Sequence, residues 1–299
     1  MNARRAVLVS IALAAAAAAA PARLFGAVER ALYVTVVDKD GAPVKGLGPA
    51  DFVVREDNVQ REVLRVQPAT EPMQVALLVD NSQAARDTIS HMRTALPPFL
   101  AALTNPNEAD RRNEVAMLTF GERPTIVTEY TSSVGELQKG VNRIWSLPGA
   151  GAYLQDAVYE ICTGFRKREA RRPVIVAISI EGPEFSYRRY DQVLPQIDQA
   201  GAAFYVVAVG RPSGSLSDEM RSRGIVLDEG TRRSGGTEEQ LLTPMGLGPR
   251  LKHLADQLTH QYLVTYAHPE SLIPPERVTV EAAKAGLTAR GTLVKEEKK

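Results

Sequence analysis

The sequence predicts an α/β protein: a doubly wound, mostly parallel sheet joined to a small antiparallel β-sandwich module built from the N- and C-terminal segments. Three observations carry this prediction. Residues 75–79, 115–119, 174–179 and 204–209 are short continuous apolar runs, the pattern of strands buried on both faces. Between them, apolar residues recur at helical spacing, and strands alternating with helices imply right-handed crossovers. Near both ends of the chain the segments are β-rich, and those at the N-terminal end are separated by turn residues.

The chain opens with a targeting signature. Arg4 and Arg5 precede an apolar stretch at residues 6–20 that only Ser10 interrupts. This is the length of a signal-peptide core and shorter than the ~20 residues of a spanning helix. Ala20-Pro21-Ala22 fits a small-x-small cleavage site, so residues 1–22 are assigned as a signal peptide, with a second candidate cut near Ala27 and an uncleaved anchor as the alternative. No cysteine lies near the cut, which argues against a lipoprotein. Cleavage after Ala22 leaves 34 basic against 35 acidic side chains, a net charge of −1. The predicted location is a bacterial periplasm or the exterior, with no stable membrane span in the mature chain.

Residues 30–68 read as an antiparallel unit. Residues 32–37 alternate, Asp40-Gly41 marks a turn, and Glu56-Asp57-Asn58 marks another between the strands at 52–54 and 63–66. Forty residues of strands cannot close a core alone. The β-like segments at 277–280 and 287–294 are the candidate partners, giving a module of residues 30–68 plus 268–295. The α/β domain takes residues 70–267. In it, Ile89, Met92, Leu96, Phe99, Leu100 and Leu103 form a helical stripe that Pro97-Pro98 should kink or restart. Ser133-x-x-Glu136 is a capping box opening a helix through Leu137, Val141 and Ile144. Leu154, Ala157, Val158, Ile161 and Phe165 form a clean stripe, and Cys162 on it is expected to be buried. Residues 211–250 carry the weakest pattern, with a short helix expected at 227–233. Leu251, Leu254, Ala255 and Leu258 predict another helix, and residues 262–266 a strand.

Composition excludes several function classes. With 299 residues, 44% hydrophobic and 24% charged, the chain is of ordinary globular composition. Lys plus Arg number 36 against 35 Asp plus Glu, so there is no electrostatic case for a nucleic-acid partner. A single cysteine rules out an intramolecular disulfide and a Cys-rich zinc site. His91, His253, His260 and His268 form no His-Glu-x-x-His motif, and neither a Gly-x-Ser-x-Gly elbow nor a phosphate-binding loop is present. The expectation is therefore not an enzyme. Arg166, Lys167, Arg168, Arg171 and Arg172 read as a solvated cationic helix end.

Ligands of an open α/β sheet bind outside the carboxyl ends of its strands. There the first apolar strand ends in Asp80-Asn81-Ser82, and another ends in Glu181-Gly182. With Gly151 on an intervening loop, Asp80, Asn81, Ser82, Gly151 and Glu181 are the candidate partner-binding residues.

An apolar strand ending in Asp-x-Ser resembles the start of a von Willebrand factor type A (VWFA) domain. The whole chain, over about residues 30–295, is similar to secreted bacterial proteins with a VWFA-related domain. Supporting segments are Asp51-Phe52 with the 56–58 turn, Asp156-Ala157-Val158-Tyr159, Ser234-Gly235-Gly236 and residues 261–266. The resemblance implies a metal-ion-dependent adhesion site built from Asp-x-Ser-x-Ser, a threonine on a second loop and an aspartate on a third. Asp80 and Ser82 match its first two positions. Ala84 stands at the second serine, Ala152 at the threonine and Glu181 at the aspartate. Asp80, Ser82 and Glu181 are thus the candidate metal ligands of a degenerate site, with weak Mg²⁺ binding at most and no other cofactor. The expected function is binding of another protein through the loops at the carboxyl edge of the sheet, without a tightly bound metal. A structural scaffold of the envelope, and metal-dependent adhesion through a weak Mg²⁺ site, are the alternatives.

Overall fold

The computed structural model describes residues 27–104, 112–211, 217–270, 275 and 277–294. The proposed signal peptide lies outside the described residues. The chain runs through β1 (Ala27–Val37), β2 (Phe52–Glu56), β3 (Val59–Arg61), β4 (Val63–Pro68), β5 (Gln74–Val79), α1 (Ile89–Thr104), β6 (Glu114–Thr119), β7 (Thr125–Thr131) and α2 (Val134–Asn142). It continues with α3 (Leu154–Lys167), β8 (Pro173–Ile180), α4 (Tyr190–Ala200), β9 (Ala203–Val209), α5 (Asp218–Ser234), β10 (Glu238–Leu241), α6 (Leu247–Thr259), β11 (Tyr262–Pro269), β12 (Val278–Ala282) and β13 (Thr288–Leu293).

The central sheet has the order β10-β9-β8-β5-β6-β7 and is parallel except for β7 at one edge. Every residue of β8 is buried, as its unbroken apolar sequence requires. One face, through Val75, Leu77, Met117, Val176 and Tyr205, packs on α1, α2 and α6; the other, through Leu78, Ile175 and Phe204, packs on α3, α4 and α5. Cys162 is fully buried in the second core, as its stripe predicts. The order reverses between β5 and β8, and that switch point sets the crevice at their carboxyl ends.

The antiparallel module is two small sheets, β13-β1-β11-β4 and β12-β2-β3, closed over Leu32, Val34, Phe52, Val54, Val264 and Tyr266. The late strands do pair with the early ones: Leu32 opposes Leu293, and Val54 opposes Val280. β11 departs from the sequence assignment. It pairs with β1 and β4 inside the antiparallel sheet and takes no part in the parallel one. Its alternating inward residues Tyr262, Val264 and Tyr266 are the signature of that half-solvated environment.

Three further expectations are corrected. Pro97 and Pro98 do not restart α1, which is continuous through both. Leu96, Phe99, Leu100 and Leu103 are buried on either side of them, and that packing outweighs the ~3 kcal/mol cost of an interior proline. Residues 218–234 form a long helix, α5, rather than a short one at 227–233. Arg172 is not part of a solvated face. It is buried and donates to the Glu71 and Leu258 carbonyls and to Gln261 Oε1, at 2.8, 3.3 and 2.6 Å. Gln261 in turn donates to Thr35 Oγ1 on β1 at 2.8 Å, so this polar network joins the two sheets.

Candidate functional site

The loop that leaves β5 lies at the switch point, and its side chains are spent on neighbouring loops. Asp80 is fully buried. Its Oδ1 accepts from the Ser82 N–H at 2.9 Å, and its Oδ2 accepts from the Ile180 N–H at 3.0 Å, which staples the ends of β5 and β8 together. Burial raises the Asp80 carboxyl above its ordinary range, while these hydrogen bonds and the nearby Arg223 guanidinium pull it back in part. Asn81 Oδ1 accepts from Gly121 N at 2.7 Å, and its Nδ2 donates to the Trp145 carbonyl at 3.2 Å. The Ser82 carbonyl accepts from Ser146 Oγ at 3.0 Å, and Gln83 N donates to the Ala150 carbonyl at 2.9 Å. Gly121 is required by close approach: a Cβ there would lie 2.8 Å from Asn81 Oδ1.

Residues 145–153 and 181–189 lock together above this lattice. Ala152 N donates to the Pro183 carbonyl at 3.0 Å, and the Ala152 carbonyl accepts from Phe185 N at 2.7 Å. A Cβ on Gly151 would fall 1.9 Å from the Phe185 ring, so only glycine lets that ring lie across the loop. Asp156, in the first turn of α3, accepts from the Tyr187 and Arg188 N–H groups, both at 3.0 Å. The result is a rigid mount for three aromatic rings. Tyr153 lies 6.4 Å from Phe185 and 6.1 Å from Tyr187, centroid to centroid. Phe185 is 51% exposed and Tyr187 84% exposed. Trp145 is 64% exposed and stacked by Arg93 of α1 at 3.8 Å, and Leu242 and Met245 are exposed beyond the end of β10.

Charge concentrates just beneath. Arg223 on α5 is buried and donates through Nη2 to Glu181 Oε2 at 2.9 Å and through Nη1 to the Gly182 carbonyl at 3.2 Å. Glu184 is buried, with Oε1 accepting from Ser186 Oγ and Oε2 making no hydrogen bond among the described residues. Burial pushes its carboxyl up to about 7, against the opposing pull of Ser186 and Arg223.

Of the sequence-predicted partner residues, Asp80, Asn81, Ser82 and Gly151 are buried and build the loop frame. Glu181 is partly exposed and is paired with Arg223. Sequence reasoning missed Phe185, Tyr187, Glu184 and Arg223. The first three sit in a run of aromatic, acidic and basic residues after a buried strand, a composition out of place in an inert loop. For α5, Ser217 followed by Asp218 and Glu219 is a helix-start signal, and Ser217 Oγ does accept from Met220 N.

No protein-family model matches the sequence, and no curated protein does. Solved structures are similar to it. Proximal thread matrix protein 1 from the mussel byssus aligns at a TM-score of 0.52 with 13% identity over 69% of this chain, which spans 50% of the mussel protein. A von Willebrand factor type A protein from Catenulispora acidiphila aligns at 0.49 with 13% identity, over 90% of this chain and 73% of that one. The vWF domain of the type V pili tip protein Mfa5 from Porphyromonas gingivalis aligns at 0.48 with 8% identity, over 64% and 96%. The fold is VWFA-like.

A VWFA-like fold raises the question of a metal at the β5 edge. The residues present do not fit one. Both Asp80 oxygens accept backbone N–H groups, Ala84 and Ala152 carry no ligand oxygen, and Glu181 is engaged by Arg223. Among the described residues, no three His, Cys, Asp or Glu side chains converge to hold an ion. A cleft of about 630 Å³ lies elsewhere. It opens at the amino ends of the strands, beside Met73, Asn113 and Arg172.

Proposed function

We propose that this chain is an exported, non-enzymatic protein-binding module that engages its partner through the loops at the carboxyl edge of the VWFA-like sheet. The observation that carries the proposal is the pair Phe185 and Tyr187, held exposed by backbone hydrogen bonds that they donate to the Ala152 carbonyl and the Asp156 carboxylate at the switch point of the sheet. Exposed aromatics on a rigid mount lose little conformational entropy on binding and are the residue types that dominate interface energies. Asp80, Asn81, Ser82 and Gly151 shape the loops and do not touch the partner. Export rests on the basic and apolar segments of residues 2–22 and places the module in the periplasm or outside the cell. No described helix is long and apolar enough to cross a membrane.

The test compares three tagged chains purified from their native envelope: wild type, Phe185→Ser with Tyr187→Ser, and the control Ile126→Ser on the edge strand β7. One stoichiometric protein is expected with wild type and the control and is expected to be lost with the double variant. The same set of proteins on all three chains would reject the aromatic edge as the binding surface.

A further inference from the structure

We propose that Arg223 is the resident cation of the β5 edge, a covalently attached guanidinium standing where a VWFA-like fold would otherwise place a divalent metal. Arg223 Nη2 donates to Glu181 Oε2 at 2.9 Å beside the end of β8, and its charge also acts on the buried Asp80 and Glu184 carboxyls at the same edge. A carboxylate taken largely out of water demands a counter-charge. Arg223 supplies it from the first turns of α5, and its planar fork reaches the Glu181 carboxylate and the Gly182 carbonyl together, a geometry that a lysine cannot reproduce. The alanines complete the substitution. A Cβ on Gly182 would lie 2.6 Å from the Ala84 side chain, so position 84 is packed against the loop that follows β8 and has no room to serve as a ligand.

An attached cation differs from a bound one in a functional respect: it neither exchanges nor responds to chelators. The loops above it are therefore set permanently in one arrangement. Arg223 is itself buried and offers no open coordination position with which to bridge a partner's carboxylate. This inference stands on the charge cluster alone and does not depend on which residues meet the partner.

The experiment uses the full chain, with Mn²⁺ as the probe. Electron paramagnetic resonance of free Mn²⁺ should show no saturable binding to wild type up to about 1 mM, and EDTA should leave the melting temperature unchanged. Arg223→Met should lower the melting temperature, and Arg223→Met with Glu181→Met should recover most of the loss, because removing both members of a buried pair is far less harmful than removing one. If Arg223→Met does not fold, Glu181→Met alone should lower the melting temperature by stranding the guanidinium. Micromolar Mn²⁺ binding by wild type that Asp80→Asn abolishes would overturn the proposal. So would a double variant no more stable than Arg223→Met, or a Glu181→Met variant as stable as wild type.

Discussion

At the scale of single residues, the buried carboxyl groups give the fold opposing pH dependences. Glu184 has its folded-state pKa raised from 4.5 to about 7, so its contribution to stability is full below pH 4.5, where it is protonated in both states. It is lost as pH rises toward 7, because the unfolded chain ionises first. The shift corresponds to a loss on the order of 3 kcal/mol across that window. Glu184→Gln keeps the shape and removes the titration, so the difference in unfolding free energy between variant and wild type should grow from pH 4.5 to 7 in the variant's favour. A difference that stays constant in denaturant titrations across that range would contradict this assignment. Glu56 runs the other way. Burial disfavours its charge, but hydrogen bonds from His268, Tyr266 and Arg61 outweigh it and hold its carboxyl below the usual range. Its stabilisation is present above the unfolded pKa and is lost as acid protonates it. Sequence marked Glu56 only as a turn residue, since nothing in Glu-Asp-Asn announces that a histidine 212 positions away will hydrogen-bond to it.

At the scale of elements, the apolar strands were fully legible because each one is buried on both faces and so carries an unbroken run, as in Val75 to Val79. Helix α3 was legible for a related reason, its stripe being continuous from Leu154 to Phe165. Helix α5 was not. Its buried positions include Ser222, Arg223, Gly230 and Thr231, polar or small residues that interrupt the hydrophobic period, so the sequence showed only a short helix at 227–233. The metal-ligand positions were legible one by one, whereas the substitute cation was not, because Arg223 lies 143 positions from Asp80 and within that concealed helix. In α1 the two prolines are tolerated and not required. Pro98 is exposed, and its ring removes the N–H that would otherwise bond within the helix. Pro98→Ala should therefore stabilise the protein by about 1–3 kcal/mol, the interior-proline cost less the entropy that proline removes from the unfolded chain. A lowered melting temperature would show that the ring has a packing role.

At the scale of the whole molecule, the two sheets are joined by a polar seam. Arg172 precedes β8, bonds to the chain before β5 and at the end of α6, and stacks over Tyr33 of β1 at 4.7 Å. Gln261 at the entrance to β11 receives Arg172 and passes the network on to Thr35. Arg172→Met keeps much of the side-chain volume and strips these bonds, leaving buried acceptors unpaired, and should cost about 2–4 kcal/mol in denaturant unfolding. A cost near zero would mean that the sheets hold together without the seam. The sequence showed both ends of this seam only as a basic run and a strand start. A segment with five basic residues among seven looks solvated until the fold closes over its last member.

A frame that needs no metal ion presents Phe185 and Tyr187 to a protein partner, and contact mapping in place tests this most directly. A photo-reactive benzoylphenylalanine is introduced at position 187, or at position 126 as the control, and cells are irradiated with and without excess EDTA. One discrete adduct is expected from position 187, none at that mass from position 126, and equal yield with the chelator. No adduct beyond the control, or an adduct that disappears on chelation, would contradict it.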